Sequence, residues 1–201
     1  MTLSDDQLDA LAEVINIGAG RAAAALSDIT GSRIELTVPH IRAYRVDAFH
    51  EQAKALGGDL DTLITQSFEG GISGRALLAF PRQSAVHLAH VVGDVQGDLD
   101  ELDFDAQGVL EEVGNILLNA VLGSIANLLQ CGLTYELPEL RSETPAAELL
   151  GGPSSQDVRT IVVADTHFGV ASRNIASSLI LVFEIGSLDT LLGELVTTRS
   201  A

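Results

Sequence analysis

Asp9, Glu13 and Asn16 follow one another at steps of four and three. On an α-helix that spacing lines the three side chains along one face. A carboxylate accepts hydrogen bonds and pairs with cations. A side-chain amide works both ways, since its carbonyl accepts and its NH₂ donates. Together they can dock a cationic group and hold a water molecule, without any strong nucleophile of their own. The pattern returns downstream. Glu13, Asn16 and Pro39 each shift by 99 residues to reach Glu112, Asn115 and Pro138, so 22 residues separate Asn from Pro in both copies. Three matched positions at one offset indicate an internal duplication.

A helix must carry each set. Leu11, Val14, Ile17, Ala22, Leu26 and Ile29 map at the same offset onto Leu110, Val113, Ile116, Val121, Ile125 and Leu128. Their spacing suits a helix with one buried side, not a strand. The Glu/Asn stripe then lies on the exposed side, since a buried pair would need partners. A pair repeated on two exposed faces points to surface chemistry or docking; plain solvated helix residues are the alternative.

Capping marks the first helix. Ser4 with Gln7 forms a capping-box pattern, and Asp5 and Asp6 sit where the helix dipole favours acid. The helix is expected to run to about Ser27, with Gly31 just past its end. Arg33 to Val38 reads as a strand closed by Pro39, with Ile41 to Tyr44 extending it beyond a kink. Phe49 to Leu56 reads as a short helix. Thr62 to Phe68 and Ile72 to Phe80 read as a hairpin, and Pro81 to Val92 as a helix. Gly93 to Leu102 is a polar, acidic connector. Asp103 to Gln130 is the second long helix and Leu133 to Leu137 its matching strand. Ser142 to Gln156 is a loop, Val158 to Val170 and Ile175 to Ile185 a second hairpin, and Leu188 to Thr197 a closing helix.

Each half thus reads as long helix, strand, hairpin and short helix. The expected fold is α+β in two layers, with pseudo-twofold symmetry. Both motif-bearing helices would pack on one face of a shared antiparallel sheet. The expected organisation is a single domain over residues 1–201, made of two intertwined repeats at about 1–93 and 101–201.

Composition narrows the function classes. The chain is 46% hydrophobic but only 4% aromatic, so its core must be aliphatic. A net charge of -17 argues against nucleic acid and anionic membranes, which favour basic patches. Cys131 is the only cysteine, so no intramolecular disulfide forms and no activating base is in view beside it. The acidic start has no signal-peptide pattern, and no apolar run reaches the length of a membrane span. The expectation is a soluble cytoplasmic protein with no membrane insertion.

Two other patterns carry less. Gly18-Ala19-Gly20-Arg21-Ala22-Ala23 fits a dinucleotide fingerprint with Glu35 as ribose acid. That reading needs a strand at Val14 to Ile17, where the periodicity is helical. The second copy also replaces Gly18 and Gly20 by Leu117 and Asn119. The glycines fit better as points of close approach, of packed helices or of a partner. His87 and His90 lie one turn apart, but two histidines do not make a zinc site, and they are taken as surface residues.

Asp9-x3-Glu13-x2-Asn16-x22-Pro39 resembles the signature of the CheC/CheX/FliY phosphatases of bacterial and archaeal chemotaxis. Glu112-x2-Asn115-x22-Pro138 resembles it from the Glu onward. Two copies in a chain of this length look most like the CheC type, since CheX-type members carry one such site and FliY-type members add a flagellar switch domain. One position departs. The family prefers Asp or Ser four residues before the Glu, and the second copy has Gly108 there, with Asp105 one turn away.

The resemblance implies a protein phosphatase that hydrolyses the aspartyl phosphate of a CheY-type response regulator. Glu13, Asn16, Glu112 and Asn115 are the catalytic residues it implies. It implies no cofactor of the chain's own, the Mg²⁺ being supplied by the bound regulator. It also implies CheD, a receptor-modifying deamidase, as a possible second partner. The chemistry suits the residues. An acyl phosphate already has a good leaving group, and what it lacks is a water in line with phosphorus. Phosphoryl transfer depends mostly on positioning and electrostatics, so an amide can orient that water without being a strong base. The rival expectation is a non-catalytic adaptor whose helices dock CheY-phosphate or CheD.

Overall fold

The computed structural model describes residues 4–45, 60–93, 102–142, 160–170 and 173–183. Three helices lie among them: α1 Asp5–Thr30, α2 Arg82–Gly93 and α3 Phe104–Leu128. Seven strands accompany them: β1 Ile34–Arg45, β2 Leu60–Gly70, β3 Gly74–Pro81, β4 Leu133–Tyr135, β5 Glu139–Arg141, β6 Thr160–Val170 and β7 Arg173–Phe183. The expected short helix at Phe49 to Leu56, the closing helix at Leu188 to Thr197 and most of the two connectors lie outside the described residues.

Both long helices begin as the local chemistry dictates. The Ser4 hydroxyl accepts from Gln7 N, and the Gln7 side chain accepts from Ser4 N, which closes the capping box. Such a cap contributes about 1 kcal/mol. Asp103 caps α3 by accepting from Ala106 N. Gly31 ends α1 in the left-handed conformation, at φ 64°, where glycine is favoured.

The strands form one sheet in the order β1-β6-β7-β3-β2-β4, with β5 also on β2, and every pairing is antiparallel. The hairpins β2–β3 and β6–β7 meet at the centre, where β3 pairs with β7. The strand after α1 pairs with β6, and the strands after α3 pair with β2. Each long helix therefore feeds a strand into the other half's hairpin.

The main core lies between the helices and one sheet face. Leu11, Ile15, Ala22 and Leu26 from α1 join Leu110, Leu117, Leu118, Val121 and Ile125 from α3, above Ile64, Phe68, Leu78, Phe80 and Phe168. Phe80 and Phe168 approach with ring centroids 6.0 Å apart. The helices touch backbone to backbone at Gly18, where a Cβ would stand 2.5 Å from the Val121 Cα. Gly114 lets α3 settle on β2 in the same way, since a Cβ there would stand 2.4 Å from Ile64 Cγ2.

The α+β arrangement is as expected, but several details differ. The opposite sheet face is also buried, with Leu63, Leu77, Ala79, Ile161, Val163, Ile180 and Val182 forming a second apolar cluster. Alternate residues on the central strands are therefore apolar on both faces. Ile17 and Ile29 were assigned to the buried side of α1, yet they are 47% and 66% exposed. The buried stripe runs through Leu11, Ile15, Gly18, Ala22 and Leu26, and both isoleucines lie beyond its edge. His87 and His90 are half-buried on α2, not fully on the surface.

Helix α3 is also long and apolar enough to cross a membrane by length and composition, which no apolar run was expected to be; 56% of its most apolar window is buried against the rest of the protein.

The strand expected at Leu133 to Leu137 stops at Tyr135 and resumes at Glu139. Proline has no N–H to donate to a ladder, so the chain leaves the sheet around Pro138. Pro39 does not close β1 either. It sits in a bulge, with the register shifting between Thr37 and His40, and the strand continues to Arg45.

Candidate functional site

Asp9, Glu13 and Asn16 are all exposed on α1, beside the buried stripe that holds the helix down. Among the described residues Glu13 makes no hydrogen bond or ion pair, so its carboxylate is available to an incoming cation. Asn16 is held from one end only. Its Nδ2 donates to the carbonyl of Ala12, one turn back, at 3.0 Å, and to the carbonyl of Val38 at 3.4 Å. Both partners are backbone carbonyls, which only accept, so the amide must present its NH₂ to them. Its Oδ1 has no hydrogen-bond partner among the described residues.

The Val38 carbonyl explains Pro39. In the bulge, Val38 and Pro39 together stand opposite Thr166. Val38 has no ladder partner, and its carbonyl turns to α1 instead. Proline at the next position fits a place where the ladder is interrupted. The 22-residue gap is thus the length of chain from the helix through its cap and back along the strand to the amide it steadies.

The second copy is built differently. Glu112 is exposed and unpaired among the described residues, as Glu13 is. Asn115 is half-buried, and its Oδ1 accepts from Nδ2 of Asn119 at 2.7 Å. The Asn119 Oδ1 in turn accepts from Nε2 of Gln66 at 3.1 Å, and the same Nε2 donates to the carbonyl of Glu136 at 3.0 Å. Glu136, Leu137 and Pro138 stand opposite Gln66 and Ser67, so this segment is the counterpart of the Pro39 bulge. Gln66 is 2% exposed, and its buried Oε1 has no hydrogen-bond partner among the described residues. Gly108 faces open space, and Asp105 is exposed at the start of α3.

Residue types alone did not reveal the Val38 carbonyl, Gln66 or Asn119. A backbone carbonyl leaves no signature in sequence, and Gln66 lies on a strand from the other half. Asn119 had a signal: it stands where the first copy has Gly20. The glycine pair itself splits in role. Gly18 serves the helix contact, whereas a Cβ at Gly20 would meet nothing within 4 Å. Both lie inside α1, so no strand precedes them for a dinucleotide fold. Cys131 packs against the first hairpin, where a Cβ on Gly71 would stand 2.4 Å from its own Cβ. Burial raises the Tyr135 phenol above its ordinary pKa, and the nearby Cys131 adds to the rise.

The CheC-like family matches residues 7–41, the segment from the first turn of α1 through Glu13 and Asn16 to just past Pro39. The CheY-P phosphatase CheC of Bacillus subtilis is 28% identical over 172 residues, covering 82% of this chain and 80% of that one. In sequence the chain is similar to CheC-like proteins. Among solved structures it is similar to FliY of Thermotoga maritima, with a TM-score of 0.73 at 19% identity over 98% of this chain and 99% of that one. The FliM middle domain of H. pylori matches with a TM-score of 0.65 at 11% identity, over 96% and 99% of the two chains. At these identities the likeness is one of fold.

Proposed function

We propose that this CheC-like chain hydrolyses the aspartyl phosphate of a CheY-type response regulator. The observation that carries the reading is Asn16: an exposed amide, fixed by its NH₂ to Ala12 and Val38, about one turn from Glu13, with neither its carbonyl oxygen nor the Glu13 carboxylate partnered among the described residues. The CheC relative, named as a CheY-P phosphatase, supports it from outside.

Glu13 and Glu112 dock the regulator by pairing with a basic group beside its phosphoaspartate. Asn16 accepts a hydrogen bond from a water and holds it in line with phosphorus. Water oxygen bonds to phosphorus as the bond from phosphorus to the aspartyl oxygen breaks. The leaving electron pair stays on the aspartate as carboxylate, and both water protons leave with the phosphate as H₂PO₄⁻. The Mg²⁺ that offsets phosphoryl charge belongs to the regulator, and the chain needs no cofactor of its own. The helix supplies rigidity, so Glu and Asn arrive at a fixed separation.

The same reading makes residues 1–201 one domain of two intertwined repeats, about 1–93 and 101–201, working in the cytoplasm. Timed loss of phosphate from a phosphorylated CheY-type regulator tests the activity. A substoichiometric amount of chain is expected to accelerate it; unchanged or slowed decay leaves the adaptor reading. That second reading, docking of CheY-phosphate or CheD without turnover, draws support from one observation: the Asn115 oxygen is already occupied.

A further inference from the structure

The two motif asparagines present opposite ends of the same side chain. Asn16 is tied by its nitrogen and turns its oxygen outward. Asn115 is tied by its oxygen, and its Nδ2 has no partner among the described residues. The polarity of the second set follows from its anchor. The Glu136 carbonyl can only accept, so Gln66 must offer it the NH₂. The same NH₂ meets the oxygen of Asn119, whose NH₂ must then face the oxygen of Asn115. Flipping any one amide would set oxygen against oxygen or NH₂ against NH₂ within this chain.

One position separates the copies. Asn119 stands four residues after Asn115, one turn along α3; Gly20 stands four residues after Asn16 on α1. Packing does not demand that glycine, since a Cβ there would meet nothing. A mid-helix glycine destabilises a helix relative to alanine. What it leaves is open space one turn along the helix from Asn16, at the position where the other copy has a hydrogen-bond donor.

We infer that Asn119 is a positioning residue that holds the Asn115 oxygen away from an attacking water. The first site then carries the hydrolysis and the second chiefly docks the phosphorylated regulator. The inference rests on the phosphatase reading above. An outward NH₂ can donate to a phosphoryl oxygen but cannot accept a water proton. Replacing Asn119 frees the Asn115 oxygen, and placing Asn at position 20 captures the Asn16 oxygen.

The test uses full-length chain, a CheY-type regulator phosphorylated with acetyl phosphate, Mg²⁺, and timed decay over a range of regulator concentrations. Asn16→Ala is expected to remove most of the wild-type turnover. Adding Asn119→Ala to it should raise the residual kcat by about tenfold, within what one transition-state hydrogen bond supplies, with little change in KM. Damage to the fold does not raise turnover, so a gain reports the freed amide. Reciprocally, Gly20→Asn in an Asn115→Ala background should lower kcat by a like factor with KM nearly unchanged. If Asn119→Ala leaves the residual rate level or lowers it, Asn119 supports the second site and the inference is overturned. If Asn119→Ala fails to fold, the Gly20→Asn arm decides: an unchanged kcat there overturns it. If wild-type chain does not accelerate decay at all, the phosphatase reading itself falls, and this inference with it.

Discussion

A side-chain amide in the middle of a helix is a poor helix former, and Asn16 shows why one is kept. Its NH₂ is spent on two backbone carbonyls and its oxygen is left over. Asn16→Ala should lower kcat at the first site by about 10²- to 10³-fold, by analogy with loss of one oriented hydrogen bond in a transition state, with regulator binding nearly intact. Glu13→Ala should raise KM as well, because docking precedes the transition state. Steady-state kinetics over regulator concentration separates the two; an Asn16→Ala effect confined to KM would assign that residue to docking. Spacing made Asp9, Glu13 and Asn16 legible in the sequence, because a helix converts steps of three and four into one face. The orientation of the amides was not legible. It depends on the Val38 carbonyl and on Gln66, groups brought to the helices from strands.

At the scale of elements, the contact of α1 with α3 rests on glycine. Gly18→Ala places a methyl 2.5 Å from the Val121 Cα, on backbone that cannot yield cheaply. The cost expected from such overpacking is about 1–3 kcal/mol. Gly20→Ala, two residues on and facing open space, should instead stabilise by up to about 1 kcal/mol through helix propensity. Urea unfolding of the two variants checks the pair, and equal shifts would mean the helices do not meet as described. The repeated Gly/Leu and Gly/Asn differences between the copies were visible in the sequence. Which glycine touched a neighbour was not, since periodicity gives a face and not its partner. The strand breaks show the same limit. Both prolines were expected to end a strand, but β1 crosses its proline as a bulge while the other strand divides into β4 and β5 around Pro138.

For the whole molecule, the sheet ties the halves together. Among the described residues, β1 finds its neighbour only in β6, and β4 and β5 find theirs only in β2. A fragment of residues 1–93 should therefore show no cooperative thermal transition alone, its outer strand and half of its core lacking partners. Circular dichroism of the fragment, with and without residues 101–201, measures this; a sharp transition for the lone fragment would point to independent domains. Charge acts at this scale too. A net charge of -17 repels itself in the compact state, so raising salt from low ionic strength should raise the midpoint of unfolding. A midpoint that falls between 10 and 150 mM salt, roughly one Debye-length regime to the next, would show that attractive pairs dominate instead. The α+β class and the duplicated order of elements could be read from offsets and periodicity. The second buried sheet face could not, because a strand apolar on both sides looks like any short apolar run.

The central claim is that an exposed helix amide, that of Asn16 above all, catalyses loss of an aspartyl phosphate. The most direct measurement is the decay rate of a phosphorylated CheY-type regulator with substoichiometric wild-type chain, set beside Asn16→Ala with Asn115→Ala. The account predicts multiple turnovers for the wild type and a return to the regulator's own rate for the double variant. Acceleration that survives undiminished in the double variant would contradict it.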